Sequence, residues 1–154
     1  MMLLLFTIGD DRYGLDVAQV VEVIPQVALR KMPRFPEHVA GLLNYHGKGV
    51  PVIDVLSLMC GRSSRAWLST RIVLINYRTP TGGVHLLGIL AERVTATVKL
   101  PKTAFSPAGV GCAEAPFLDE IAVDQYGMIQ RIDIDKLLSS DTSAILFEAS
   151  DATG

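Results

Sequence analysis

The stretch Gly41-Leu42-Leu43-Asn44-Tyr45-His46-Gly47-Lys48-Gly49-Val50-Pro51-Val52-Ile53-Asp54-Val55 spells out one structural unit. Two apolar runs, 42–45 and 50–54, flank Gly47-Lys48-Gly49, which reads as a tight hairpin connection. Asp54 then stands where a helix N-cap belongs, ahead of a short apolar helix over 55–60 that Gly61 ends. The same order returns about 79 positions later. Gly127 opens a strand that leads to Ile132-Asp133-Ile134, with Asp133 or Asp135 capping a last short helix over 136–139. A second echo supports the first. Gly14-Leu15 precedes Val20 by six positions from the glycine, and Gly88-Ile89 precedes Val94 in the same way, 74 residues on. Each half therefore runs strand, turn, strand, strand hairpin, Asp-capped helix. A duplicated pair of small β-barrels accounts for that order.

The intervening segments fit a chain of short strands. An apolar run over 3–8 and an extended stretch over 13–16 flank the turn Gly9-Asp10-Asp11-Arg12. Asp16 is placed to cap a short helix carrying Val17, Val20, Val21 and Ile24, although the β-branched run 20–24 equally suits a strand. Pro36 and Glu37 predict a helix start, with the helix running over 37–43. The polar, serine-rich stretch 62–69 is the natural boundary between two subdomains, with exchange of strands between them possible. Strands are expected over 71–77, 84–91, 94–100, 118–123 and 128–132. The unit ends near residue 140, and 141–154 reads as a tail whose apolar part, 144–147, is able to dock.

Composition narrows the class of function. The chain has 154 residues, 49% hydrophobic and 19% charged, so it folds, and it carries more apolar surface than a small monomer needs. The net charge of −2 and the 6% aromatic content give no basic, aromatic-laced face for nucleic acid. Charge is uneven: residues 1–77 hold 8 basic and 6 acidic groups, whereas 78–154 hold 6 and 10. No run reaches the roughly 18–20 apolar residues of a membrane span. The apolar start is short, lacks a positive flank and is followed by Asp10 and Asp11, so a cytoplasmic protein is expected. Cys60 and Cys112 stand far apart and read as free thiols, Cys60 as a small core residue.

The catalytic inventory is thin. His38, His46 and His85 have no partners at metal-binding spacing, and no HExxH, CxxC or GxSxG pattern occurs. Gly47-Lys48-Gly49 and Gly109-Val110-Gly111 are too short for phosphate loops. Asp133 and Asp135 read as helix caps rather than as an acid–base pair. The expectation is a chain without catalytic residues, metal or cofactor, one that works through its surfaces.

Several stretches together resemble the CheW-type chemotaxis coupling proteins. They are residues 6–17 with Val20-Val21-Glu22-Val23-Ile24, the 41–55 stretch quoted above, Thr70-Arg71-Ile72-Val73, Leu87-Gly88-Ile89-Leu90-Ala91-Glu92-Arg93-Val94, and Ile132-Asp133-Ile134-Asp135-Lys136-Leu137-Leu138. The resemblance spans about residues 3–140. It implies a mainly β fold of two intertwined five-stranded SH3-like barrels with short helices. It also implies a non-catalytic adaptor linking the helical-hairpin tip of a methyl-accepting receptor to the regulatory domain of a CheA-type histidine kinase, in cytoplasmic arrays beneath the inner membrane. By the same resemblance, a groove between the barrels takes the receptor tip at Val20, Gly41, Gly88 and Val94, the glycines admitting helix backbone. A bulky residue at Gly88 is then expected to weaken receptor binding without unfolding the protein.

One position departs from the family pattern. His46 stands where an arginine is common, so any fork contact made there is weakened. Arg71, where an apolar residue is common, is a candidate to supply charge nearby. This departure opens a second reading, a kinase-only regulatory module of a surface-sensing or pilus array, such as a Wsp-type accessory adaptor. A small hydrolase using Cys112 or a histidine is the remaining alternative.

Overall fold

The computed structural model describes residues 1–107 and 115–148. Cys112 and the Gly109-Val110-Gly111 stretch lie outside the described residues. Among the described residues, ten strands follow in chain order: β1 Met2–Ile8, β2 Asp11–Asp16, β3 Val20–Pro25, β4 Val39–Tyr45, β5 Lys48–Asp54, β6 Arg71–Arg78, β7 Val84–Ala91, β8 Ala96–Lys99, β9 Leu118–Asp124 and β10 Gly127–Ile132. Helix α1 covers Val55–Cys60, and α2 covers Ser140–Ser143. Two five-stranded sheets form, one in the order β8-β1-β2-β10-β9 and one in the order β3-β6-β7-β5-β4.

The two halves of the chain exchange strands. Each sheet is centred on one half's opening hairpin, β1–β2 or β6–β7, flanked by the third strand and the second hairpin of the other half. The exchange begins at Asp16, whose carboxylate accepts from the Ala18 amide and caps a single 3-10 turn, Val17–Gln19. That turn is too short to reverse the chain, so β3 enters the second sheet. The halves are joined by two antiparallel pairs, β1–β8 and β3–β6, and by two parallel pairs, with Gly14 opposite Arg131 and Gly88 opposite Val52. Gly14 and Gly88 are 74 positions apart, and Val52 and Arg131 are 79 apart, the intervals of the sequence echoes. The 62–69 stretch consequently joins two strands of the same sheet.

Burial explains why the central strands do not alternate. On β6, Ile72 and Leu74 fill the second barrel with Leu43, Val50, Val52 and Leu90. Val73, Ile75 and Tyr77 of the same strand face a larger core holding Phe6, Leu15, Ile53, Leu87, Ile89 and Ile132. A strand buried on both faces reads as one continuous apolar run. The second sheet closes on itself where the Tyr45 hydroxyl donates to Glu22 Oε2 at 2.5 Å, joining the two outer strands β4 and β3.

Three local expectations are corrected. Residues 37–43 form no helix, because β4 starts at Val39. Gly41 has φ +149°, outside any helical region, and Leu42 is bridged to Arg30 by paired backbone hydrogen bonds of 2.8 and 2.9 Å. The hairpin tip is His46-Gly47 rather than Gly47-Lys48-Gly49, since Tyr45 faces Lys48 in the register. Both tip residues have positive φ, 52° and 84°, the demand of a two-residue primed turn. Asn44 Oδ1 accepts from the Gly47 amide at 2.9 Å and completes it. Cys60 is exposed at the end of α1 rather than in the core, because Gly61 stops the helix in the left-handed conformation one residue later.

Residues 133–147 are part of the packing. Asp133 caps a 3-10 turn, Ile134–Lys136, and Ser139 caps α2. The π-helical turn Ala144–Glu148 then lays Phe147 against Tyr77 and His85, with ring centroids 5.7 and 4.8 Å apart. Phe147→Leu loses both ring contacts and part of the buried volume, and urea unfolding is expected to show a loss of about 1–2 kcal/mol.

An ion pair pins the β9–β10 hairpin. Arg12 donates to both oxygens of Asp124, at 3.1 and 2.5 Å, and to the Gly127 carbonyl at 2.9 Å. The hydrogen bond from Arg12 holds the Asp124 carboxyl below its ordinary value of 3.8. Because the folded value is depressed, this stabilisation is full above pH 3.8 and is lost as pH falls through the lower folded value. Arg12→Gln should therefore cost about 1 kcal/mol at pH 7, and the gap to wild type should close in acid unfolding below that value.

Candidate partner-binding surface

The six residues singled out by resemblance fall into four places. Val20 and Val94 occupy equivalent positions, each where the chain crosses from one sheet to the other, and both pack half-buried against the shared core. Gly41 and Gly88 are buried instead. A Cβ on Gly41 would lie 2.6 Å from the Arg30 carbonyl oxygen, so this glycine admits the chain's own 29–31 segment against β4. A Cβ on Gly88 would meet Val52 Cγ2 at 2.8 Å and Ile72 Cγ2 at 3.1 Å, inside the second barrel. The expectation that a bulky residue at Gly88 leaves the fold intact fails on those distances.

His46 is exposed at the β4–β5 tip, its ring edge-on to Tyr45 with centroids 4.4 Å apart. Arg71 lies at the opposite end of the same sheet. It pairs with Ala91, one step beyond the Leu90–Asp54 pair, and Asp54 is six residues of extended strand from Lys48, which is roughly 20 Å. Arg71 donates to the carbonyls of Leu68 and Thr70. It therefore supplies no charge near His46.

The part that sequence reading missed is the loop after α1. Asp54 caps α1 through the Leu56 and Ser57 amides at 3.1 and 3.3 Å, and it also holds the Ser64 amide at 2.7 Å and the Ser64 hydroxyl at 2.6 Å. Glu92 takes the Arg65 amide at 2.6 Å and the Trp67 indole N–H at 3.1 Å. Thr70 accepts from the Trp67 amide and donates to the Arg65 carbonyl. The chain's single tryptophan in a polar run was the signal available for this loop.

A cleft of about 480 Å³ reaches Asp54, Ser63 and Ser64 beneath Leu29, Met32 and Phe35. Its one buried carboxylate, Asp54, already receives four donors and is committed to structure. Among the described residues, no group of three or more His, Cys, Asp or Glu side chains gathers to hold a metal ion. No helix among them is long and apolar enough to cross a membrane.

The profile of the CheW-like domain matches residues 2–142. The chain belongs to the CheW-like domain family. It is similar to the chemotaxis protein CheW of Klebsiella aerogenes, 26% identical over 146 residues, covering 93% of this chain and 84% of that one. Protein FrzA of Myxococcus xanthus is 26% identical over 106 residues, covering 69% of this chain and 63% of FrzA. The crystal structure of the scaffolding protein TtCheW from Thermoanaerobacter tengcongensis superposes with a TM-score of 0.79 at 24% identity, covering 92% and 89% of the two chains. The two sheets described above are thus the SH3-like barrels of a CheW-like fold. A CheW-like chain is a non-catalytic scaffold of chemotaxis-type pathways, coupling receptors to a CheA kinase.

Proposed function

We propose that this adaptor seats the helical-hairpin tip of a methyl-accepting receptor where the chain crosses between barrels, at Val20 and Val94. The regulatory domain of a CheA-type kinase then binds elsewhere on the barrels, in the cytoplasm beneath the receptor array at the inner membrane. The observation that carries this reading is the pairing of Val20 and Val94. Both are apolar and half-buried, and both rest on the one core that the barrels share. An apolar helix face docks on such a seam by side-chain contact. Gly41 and Gly88 support the site from within by packing the second barrel.

The second reading, a kinase-only module, draws on His46. At the exposed tip a histidine replaces a five-donor guanidinium with a ring already packed against Tyr45. Calorimetric titration separates the two. Saturable micromolar binding to a receptor hairpin fragment and to the kinase regulatory domain establishes the bridge. Val20→Ser should then weaken receptor binding roughly tenfold and leave kinase binding unchanged. Binding to the kinase alone selects the regulatory module, and binding to neither sinks both readings.

A further inference from the structure

We propose that residues 64–70 form a prebuilt docking loop that extends the groove at Val94 and takes an acidic, amphipathic helix of the receptor hairpin. The inference rests on the groove reading given above and adds a second wall to it.

The loop displays apolar surface at a fixed place. Leu68 is 96% exposed and Trp67 41%, although a loop of this length is free to fold such side chains inward. It is held from doing so. The carboxylates of Asp54 and Glu92 take the amides of Ser64 and Arg65, Glu92 takes the Trp67 indole, and Arg71 donates to the Leu68 carbonyl. A backbone fixed before the partner arrives loses little conformational freedom on binding. The exposed side chains are also of the kinds that dominate interfaces, tryptophan and arginine, here stacked with the Arg65 guanidinium 5.7 Å from the Trp67 ring.

The partner's chemistry follows from what remains unused. Two arginines, Arg65 on the Trp67 ring and Arg71 at the Leu68 carbonyl, outnumber the single carboxylate of Glu92, so the loop carries net positive charge. Carboxylates complement that surface. The loop is not a strand, and the amides of Ser64, Arg65, Trp67 and Thr70 are already spent on the bonds that hold it. The Thr70 amide bonds to the Trp67 carbonyl, and the Trp67 amide to Thr70 Oγ1. Recognition is therefore by side chains rather than by strand addition, and a helix supplies apolar anchors three and four residues apart with carboxylates beside them. The loop is continuous with the groove, since the Ser69 carbonyl accepts the Val94 amide at 3.0 Å.

The test is calorimetry of the full chain against a receptor hairpin fragment, at low and high salt, with Leu68→Glu, Arg65→Gln and Val20→Ser beside wild type. Leu68 is almost fully solvated, so Leu68→Glu should keep the wild-type melting temperature. The expected result is a roughly tenfold or greater loss of receptor affinity for Leu68→Glu, and a smaller loss with a shallower salt dependence for Arg65→Gln. Affinity for the kinase regulatory domain should not change. If both loop variants bind the receptor like wild type while Val20→Ser does not, the loop is excluded and the groove stands. No receptor binding by wild type removes the groove reading and this one with it. Loss of kinase binding in Leu68→Glu assigns the loop to the kinase and overturns the proposal. So does binding of wild type, but not of Leu68→Glu, to vesicles of anionic phospholipid.

Discussion

Gly88→Leu is expected to lose about 3 kcal/mol or more of stability and to populate unfolded protein at 37 °C. A Cβ alone would stand 2.8 Å from Val52 Cγ2 and 3.1 Å from Ile72 Cγ2, and leucine adds three further carbons in the same direction. Val52 and Ile72 are themselves fully buried, on strands flanking β7, so neither is free to retreat toward solvent. Gly88→Ala should cost less, about 1–3 kcal/mol, because only a methyl group must be absorbed. Gly14 is the matching residue of the first barrel, where a Cβ would meet Leu3 Cδ1 at 2.8 Å. Gly14→Ala should therefore cost a similar amount. Urea unfolding checks all three. A wild-type midpoint for Gly88→Leu, together with weakened receptor binding, would restore this glycine as a contact in the groove.

Asp54→Ala is expected to cost about 2–4 kcal/mol, against about 1 kcal/mol for Asp133→Ala. The two aspartates hold equivalent places, each capping the turn that follows its half's second hairpin. Their surroundings differ. Asp133 is half-buried and accepts one backbone amide, that of Asp135, at 3.1 Å. Asp54 is buried and accepts from Leu56, Ser57 and twice from Ser64. Its removal orphans a helix start and the Ser64 amide together. Hydrogen exchange should report fast exchange at Ser64 and Arg65 in Asp54→Ala, and near wild-type protection there in Asp133→Ala. Equal costs for the two variants would show that the loop contributes nothing through Asp54.

Much of the plan was legible because it rests on local chemistry. Asp54 before an apolar run, with Gly61 after it, marks helix α1 without any tertiary information, and the strand over 84–91 begins straight after the turn residues 79–83. The helix predicted over 37–43 failed for the opposite reason. Pro36 and Glu37 are good helix starters, but Gly41 and Leu42 answer to the 29–31 segment and to β5, and no neighbouring residue announces either contact. Gly88 and Gly41 show the same limit at the candidate site. A glycine in a strand signals close approach of something, and the sequence does not say whether that is a partner helix or the chain's own side chains.

By itself the sequence determined the repeat, its 74- and 79-residue spacings, the Asp54 cap and the family, since each of these depends on residues near one another or on their order; the choice of Asp133 over Asp135 as the second cap came from the structure. Only the tertiary structure decided which half supplies which strand. The 3-10 turn after Asp16 sends β3 across, and burial of one core shared by both sheets holds the exchanged arrangement. It alone also separated His46 from Arg71, buried Gly88, and fixed Trp67 and Leu68 outward. Those outcomes come from long-range hydrogen bonds and packing, which local residue order does not encode.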